Sequence, residues 1–305
     1  SRIGIMATRS SLQPMPGRLL GERRYWVCRL ADFVVWGHDR AMDNQRLQSL
    51  FGLDGKRAVV TGGSRGIGFM IADGLIDAGC EVIISARKAT QVADAAARLS
   101  EKGTCIGVPA DLSTDEGIAH LGEAVAEQWD SLDILCNNAG ASWGEPIESF
   151  SPGGWDKVMN VNVRSVFFLT QKLLALLRAG ASAESPSRVI NTGSVNGLTP
   201  PEWDTFSYST SKAAVHMLTK HLAKNLAKDH ITVNAIAPGP FDSNMMSFAL
   251  NDPASRASIA SDVPMGRVGV PGDMAGVAIY LSSAAGSYVT GTVIPVGGGL
   301  STIHK

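Results

Sequence analysis

The chain has 305 residues, 45% of them hydrophobic and 18% charged, with a formal net charge of −1. That size and composition support a sizeable core, and the balanced charge gives no basis for nucleic acid or a membrane surface as the main partner. Cys28, Cys80, Cys105 and Cys136 show no CxxC or metal-ligand spacing, the six histidines do not cluster, and no apolar run reaches transmembrane length; reduced core thiols and no metal are expected.

The first fifty residues differ from the rest. Residues 1–31 hold six arginines and a single acid, Glu22. This composition suits a mitochondrial transit peptide. Met42 offers a second reading, in which the stretch is an upstream translated or expression-derived segment and the protein is cytoplasmic. Either way, little packed structure is expected before about Leu50, so residues 1–50 read as an extension and 51–305 as one domain.

From Gly55 onward the pattern alternates. Short, almost wholly apolar runs at 57–61, 81–86, 105–109, 133–137, 188–192, 232–237 and 292–296 read as strands covered on both faces. Helical spacing fills the gaps at 66–78, 89–100, 115–128, 154–178, 208–229 and 273–281. Strand–helix alternation of this kind predicts an α/β fold: a doubly wound, parallel, seven-stranded sheet of the Rossmann type, in a single domain. The stretch 238–264, rich in Pro, Ser, Asn and Asp, is too long for an ordinary connection and reads as a lid or binding loop.

The stretch Val59-Val-Thr-Gly-Gly-Ser-Arg-Gly-Ile-Gly68 reads as strand, tight turn and helix start. The strict G-x-G-x-x-G spacing is not met, but a strand precedes it, a helix follows, and a second strand lies at βαβ distance. Gly62, Gly66 and Gly68, with Ser64, Arg65 and Ile67 between them, would let a pyrophosphate approach the main chain at a helix N-terminus. The other strand ends also gather polar and glycine residues: Arg87, Asp111-Leu112, Asn137-Asn138-Ala139-Gly140, Gly193-Ser194 and Pro238-Gly239. Ligands of such sheets bind there.

Tyr208-Ser-Thr-Ser-Lys212 opens a helix, so the phenol and the ammonium share a face. A nearby cation lowers a tyrosine pKa and fits it for proton transfer. Ser194 lies fourteen residues earlier, past a predicted strand end, within reach of the same oxygen.

These motifs, in this order from about Leu53 to about Leu300, resemble the short-chain dehydrogenase/reductase family. Within it the chain is most similar to 3-oxoacyl-(acyl-carrier-protein) reductases of the rhamnolipid-biosynthesis type, through Asn137-Asn-Ala-Gly-Ala-Ser-Trp-Gly144, Pro264-Met-Gly-Arg267 and Thr290-Gly-Thr-Val-Ile-Pro295. The resemblance implies Tyr208 as acid/base, Lys212 as the residue that lowers its pKa and holds the nicotinamide ribose, and Ser194 as the group polarising the carbonyl. It implies Asn162 as the fourth catalytic residue, positioning a relay water with Lys212, and leaves Asn160 as a structural neighbour. Asn138, Ala139 and Gly140 would support the cofactor wall, Asp111 would touch the adenine amine, and Ser243 would lie near the carboxamide and phosphates.

The implied activity is NADPH-dependent reduction of a ketone, first of all a 3-oxoacyl thioester. Alternatives are a polyketide-type or xenobiotic ketone, or a non-catalytic NADP(H)-sensing protein. Departures from the family pattern are a Ser194–Tyr208 interval one residue longer than the commonest, with Pro200-Pro-Glu-Trp203 inside it, Gly297 where aspartate is usual, and the leader. NADPH over NADH follows from Arg87 after the second strand and Arg65 in the facing turn, with no acid there to hold ribose hydroxyls. Phe241, Met245, Met246, Phe248 and Leu250 are expected to form a greasy lid, with Trp143 and Trp203 as added walls. Apolar residues at 166–169, Met217, Leu218, Leu222 and Leu226 exceed what one sheet face needs, and a homotetramer or homodimer is expected.

Overall fold

The computed structural model describes the backbone of residues 25–30 and 33–38, and residues 44–243, 246 and 250–302. The chain divides between Gln48 and Ser49 into two compact units. In the first, β1 (Tyr25–Leu30) pairs antiparallel with β2 (Phe33–His38), from Tyr25 opposite His38 to Leu30 opposite Phe33. Little packed structure was expected there. Both segments are rich in aromatic and β-branched residues, which favour strands, and two residues separate them, the shortest common hairpin spacing. Helix α1 spans Asn44–Phe51.

The second unit holds a parallel seven-stranded sheet in the order β5-β4-β3-β6-β7-β8-β9. Its strands are β3 (Arg57–Thr61), β4 (Glu81–Ala86), β5 (Cys105–Pro109), β6 (Ile134–Asn137), β7 (Ser187–Thr192), β8 (Ile231–Pro238) and β9 (Val293–Val296). Alternate side chains enter two cores, which is why most strand positions are apolar. Ala58, Val60, Val82 and Ile84 pack with Ile71 and Leu75 of α2 (Gly66–Asp77) and with Met274 and Leu281. Val59 and Ile83 face the other way, onto Leu121 and Val125 of α4 (Asp115–Gln128) and onto Leu169, Leu173 and Leu177. Helix α3 (Ala89–Ser100) joins β4 to β5. The chain reverses direction across the sheet between β3 and β6, and at such a switch point a crevice opens beyond the strand ends.

Two helical segments differ from the pattern read in the sequence. The helix expected at 154–178 is interrupted: α5 (Pro152–Met159) passes into a π-helical turn over Asn160–Arg164, then α6 (Ser165–Lys172) and α7 (Leu174–Gly180). The 238–264 stretch, read as irregular, contains α9 (Pro253–Asp262). Asp252 caps it by accepting the Ser255 N–H, and Pro253 sits where a missing N–H costs nothing. Helix α8 (Phe206–Leu226) starts two residues before Tyr208, and α10 (Pro271–Ser282) covers the sheet near α2.

Candidate active site

The glycine turn is built on one threonine. Thr61, the last residue of β3, accepts the N–H groups of Asn138 and Ala139 on its Oγ1, both at 2.9 Å, and donates to the Cys136 carbonyl at 3.3 Å. Asn138 Nδ2 donates back to the Thr61 carbonyl at 2.9 Å. These bonds lock the ends of β3 and β6 together at the switch point. The turn then needs glycine: Gly62 and Gly66 have φ of 66° and 55°, and a Cβ on Gly68 would lie 2.3 Å from the Gly62 carbonyl oxygen. Arg65 occupies the α2 N-cap without a side-chain capping bond. The orphan N–H groups of that helix end are therefore left for a ligand.

A cavity of about 1620 Å³ runs over the strand ends. Gly62, Ser64, Arg65, Gly66, Ile67, Gly68, Arg87, Asp111, Leu112, Asn138, Ala139, Gly140, Ser194, Tyr208, Lys212, Pro238, Gly239 and Ser243 all line it. Asn162 does not. It is 1% exposed behind the wall, while Asn160, set aside in the sequence, lines the cavity. The Asn162 carboxamide accepts the Ala141 N–H at 2.8 Å and donates to the Ala141 carbonyl at 3.0 Å and to Ser211 Oγ at 2.9 Å. It braces the π turn against the loop after β6 and against α8. π turns recur at functional sites.

At one end of the cavity Ser194 follows β7, and α8 brings up Tyr208 and, one turn on, Lys212. The Lys212 Nζ donates to the Thr192 carbonyl at 2.7 Å and stands 5.5 Å from the Tyr208 ring centre. Lys212 is 4% exposed, and burial lowers its pKa to about 8. The Tyr208 phenol is not lowered as its spacing from Lys212 suggested. Burial raises it, and the Ser194 hydroxyl pulls only partly back. The lysine points at a main-chain carbonyl, and desolvation of the phenolate wins.

At the other end Arg65 and Arg87 are exposed on the cavity wall, with no ion pair among the described residues. Burial pushes the Asp111 carboxyl up, but two bonds from Ser113, at 2.7 and 3.0 Å, and the charge of Arg87 leave it net lowered. Ser85 Oγ, at the end of β4, is buried in this wall without a partner.

The remaining expectations divide. Trp203, 47% exposed, lines the cavity on the loop before α8, which is tied down by the Glu145 N–H to the Asp204 carbonyl at 3.2 Å. Trp143 is not a wall: it packs on Gly154, beneath the Lys157 ammonium at 4.3 Å. Of the expected lid, Met246 lines the cavity. Phe241 lines it too but belongs to the core at 2% exposure, and Leu250 is buried. Met245 and Phe248 lie outside the described residues. Gly239 lets the chain pass Gly297 closely, since a Cβ on it would lie 2.7 Å from the Gly297 Cα, and a Cβ on Gly297 would lie 3.0 Å from Val195 Cγ1. Thr61 and Ser211 fall within the motifs read above without a role of their own, and Thr192 is not singled out; each acts by a hydrogen bond to a group distant in the chain.

A glycine cradle at a switch point, joined by one cavity to a Ser-Tyr-Lys cluster, defines a dinucleotide-dependent oxidoreductase fold. A family profile described as enoyl-(acyl carrier protein) reductase matches residues 62–301. The rhamnolipids biosynthesis 3-oxoacyl-[acyl-carrier-protein] reductase of Pseudomonas aeruginosa is 52% identical over 249 residues, 82% of this chain and 97% of that one. The 2-dehydro-3-deoxy-D-gluconate 5-dehydrogenase of Escherichia coli is 36% identical over 256 residues, 82% of this chain and 97% of its own. Among solved structures, the Pseudomonas aeruginosa RhlG/NADP active-site complex superposes with a TM-score of 0.81 at 51% identity, covering 83% of this chain and 99% of the other. The chain belongs to the short-chain dehydrogenase/reductase family.

Proposed function

We propose that residues 51–305 form an NADPH-dependent carbonyl reductase that converts the ketone of a 3-oxoacyl thioester to the 3-hydroxyacyl product. The observation that carries this is the meeting of Ser194, Tyr208 and Lys212 in the same cavity as the glycine turn. Three features fit a phosphorylated dinucleotide: the uncapped N-terminus of α2, the unpartnered Ser85 hydroxyl, and the two guanidiniums without ion pairs. Gly62, Gly66 and Gly68 would hold its pyrophosphate, Arg65 and Arg87 a 2′-phosphate, Asp111 the adenine amine and Lys212 the nicotinamide ribose. Asn138 to Gly140, Pro238, Gly239 and Ser243 complete the walls.

When bound, that group supplies the reducing equivalent to the ketone carbon. Tyr208 gives its phenolic proton to the carbonyl oxygen, and Ser194 donates a hydrogen bond to the same oxygen and orients it. A phenol held protonated by burial suits the donor role. Lys212, near 8, exchanges protons close to neutral pH and, with Asn162 bracing the wall beside it, serves a relay back to solvent. Apolar groups at the substrate end, among them Trp203, Met246 and Val263, favour an acyl chain over a sugar acid. The name of the relative at 52% identity points the same way.

The reading extends to assembly and place. Val166, Leu169 and Leu226 are buried in the core, but Phe167, Phe168 and Met217 stay exposed on α6 and α8, which supports a homotetramer or homodimer. Among the described residues no helix is long and apolar enough to cross a membrane. The cytoplasm is the proposed place of action, and the mitochondrion if the arginine-rich leader acts as a transit peptide.

The test is Tyr208→Phe, assayed by NADPH absorbance with a 3-oxoacyl thioester. Loss of a general acid should lower turnover by about 10²–10⁴-fold. NADPH binding should survive. Native turnover in this variant would overturn the assignment.

A further inference from the structure

Helix α8 presents Tyr208, Lys212 and His216 at four-residue intervals, so the three share one face. That face meets the turn after β7. Lys212 bonds the Thr192 carbonyl, and one turn on, His216 Nε2 accepts the Ser194 N–H at 3.4 Å. The imidazole is 6% exposed, and its Nδ1 faces the Gly197 main chain without a hydrogen bond of ordinary geometry. Ring and turn are in close contact. A Cβ on Gly193 would lie 2.1 Å from Nε2, and one on Gly197 would lie 2.8 Å from Cε1.

Burying an imidazole with one poorly satisfied nitrogen costs free energy that a leucine in the same space would not. What this ring does that leucine cannot is accept the Ser194 amide. Ser194 is thereby held twice, its N–H by His216 and its Oγ by the Asn196 N–H at 3.1 Å. Its main chain is extended, at φ −167° and ψ 153°, and its hydroxyl hydrogen is left free to donate.

We propose that His216 is a positioning residue: in its neutral, Nδ1-protonated form it fixes the Ser194 main chain, and through it the hydroxyl that faces Tyr208. The proposal rests on the reading of Ser194 and Tyr208 given above. Protonation would turn Nε2 into a donor set against the Ser194 N–H. Burial opposes that protonation most, the Gly197 main chain favours it, and the charges of Lys212 and Lys220 on the same helix oppose it, leaving the imidazole net lowered.

The test uses the full chain, NADPH and a 3-oxoacyl thioester, with His216→Leu and His216→Gln. Leucine fills the space without an acceptor; glutamine returns one. The Leu variant should lose about tenfold to a hundredfold in kcat, the scale of a misplaced reacting group, with KM and NADPH affinity held within about threefold. The Gln variant should recover most of that loss. Native kcat in the Leu variant overturns the proposal, and so does a Gln variant as slow as Leu at native Tm. If the Leu variant fails to fold, the Gln variant decides alone: near-native kcat supports the role, and a loss of about tenfold at native Tm refutes it. Failure here is separable from failure of the reaction itself, because a wrong reaction leaves the unmodified protein without turnover of the thioester.

Discussion

Replacing Arg87 with aspartate removes one of two guanidiniums from the cavity wall and puts a carboxylate in its place. In the native chain Arg87 follows β4 and Arg65 sits in the facing turn, both exposed and both without an ion pair among the described residues. A hydrogen bond to a charged group contributes about 1.5–3 kcal/mol, and solvent at an exposed site reduces this toward about 1–2 kcal/mol. At about 1.4 kcal/mol per tenfold, the pair should give the native protein a preference for NADPH over NADH of about tenfold to a thousandfold. The aspartate subtracts that attraction, repels a 2′-phosphate, and offers the ribose hydroxyls of NADH an acceptor. It also removes the charge that helps to lower Asp111. The assay is kcat/KM for each cofactor at fixed ketone and fixed salt. The NADPH/NADH ratio should fall by about tenfold or more in Arg87→Asp. Equal kcat/KM for the two cofactors in the unmodified protein, or an unchanged ratio in the variant, would refute the reasoning.

Three further outcomes are expected. Gly68→Ala places a Cβ 2.3 Å from the Gly62 carbonyl and 2.4 Å from Asn138 Nδ2, so the turn must shift. Thermal melting should report a loss of about 1–3 kcal/mol, with weakened NADPH binding; a native Tm and affinity would show that the cradle is not so tightly built. The folded Lys212 has a pKa lowered from 10.5 to about 8, so between those values the unfolded chain binds more protons. The burial cost is therefore present in full below pH 8 and is relieved as pH rises. Urea titrations should show the native protein gaining stability relative to Lys212→Met from pH 8 to about 9.5, and a flat difference would count against the burial argument. Light scattering at micromolar concentration should give a mass of two or four chains, and a single-chain mass would rule out the proposed assembly.

Much of the fold was legible because its cause is local. A strand buried on both faces is apolar at most positions, and a helix beside it shows a 3.6-residue stripe. The seven strands therefore stood out, three of them (β3, β4 and β5) at the bounds observed. Helix α9 was missed because composition pointed to a loop, although Asp252-Pro253 carries the local signal of a capped helix start. The hairpin at 25–38 was masked by the arginines and serines around it, though its aromatic and β-branched residues carried the signal.

The site divides along the same line. The Gly62–Gly68 turn and the Tyr208–Lys212 pair are short-range patterns, set by glycine's access to positive φ and by the four-residue repeat of a helix, so the sequence alone determined them. Only the tertiary structure decided which asparagine lines the cavity, because a π turn moves Asn162 behind the wall and leaves Asn160 in it. Only packing decided that Phe241 joins the core and that Trp143 turns onto Gly154. The direction of the Tyr208 shift, and the bond from Ser194 to His216, depend on burial and on atoms brought together across long sequence separations. Desolvation and long-range hydrogen bonds are properties of the closed core, and they have no counterpart in the order of residues along the chain.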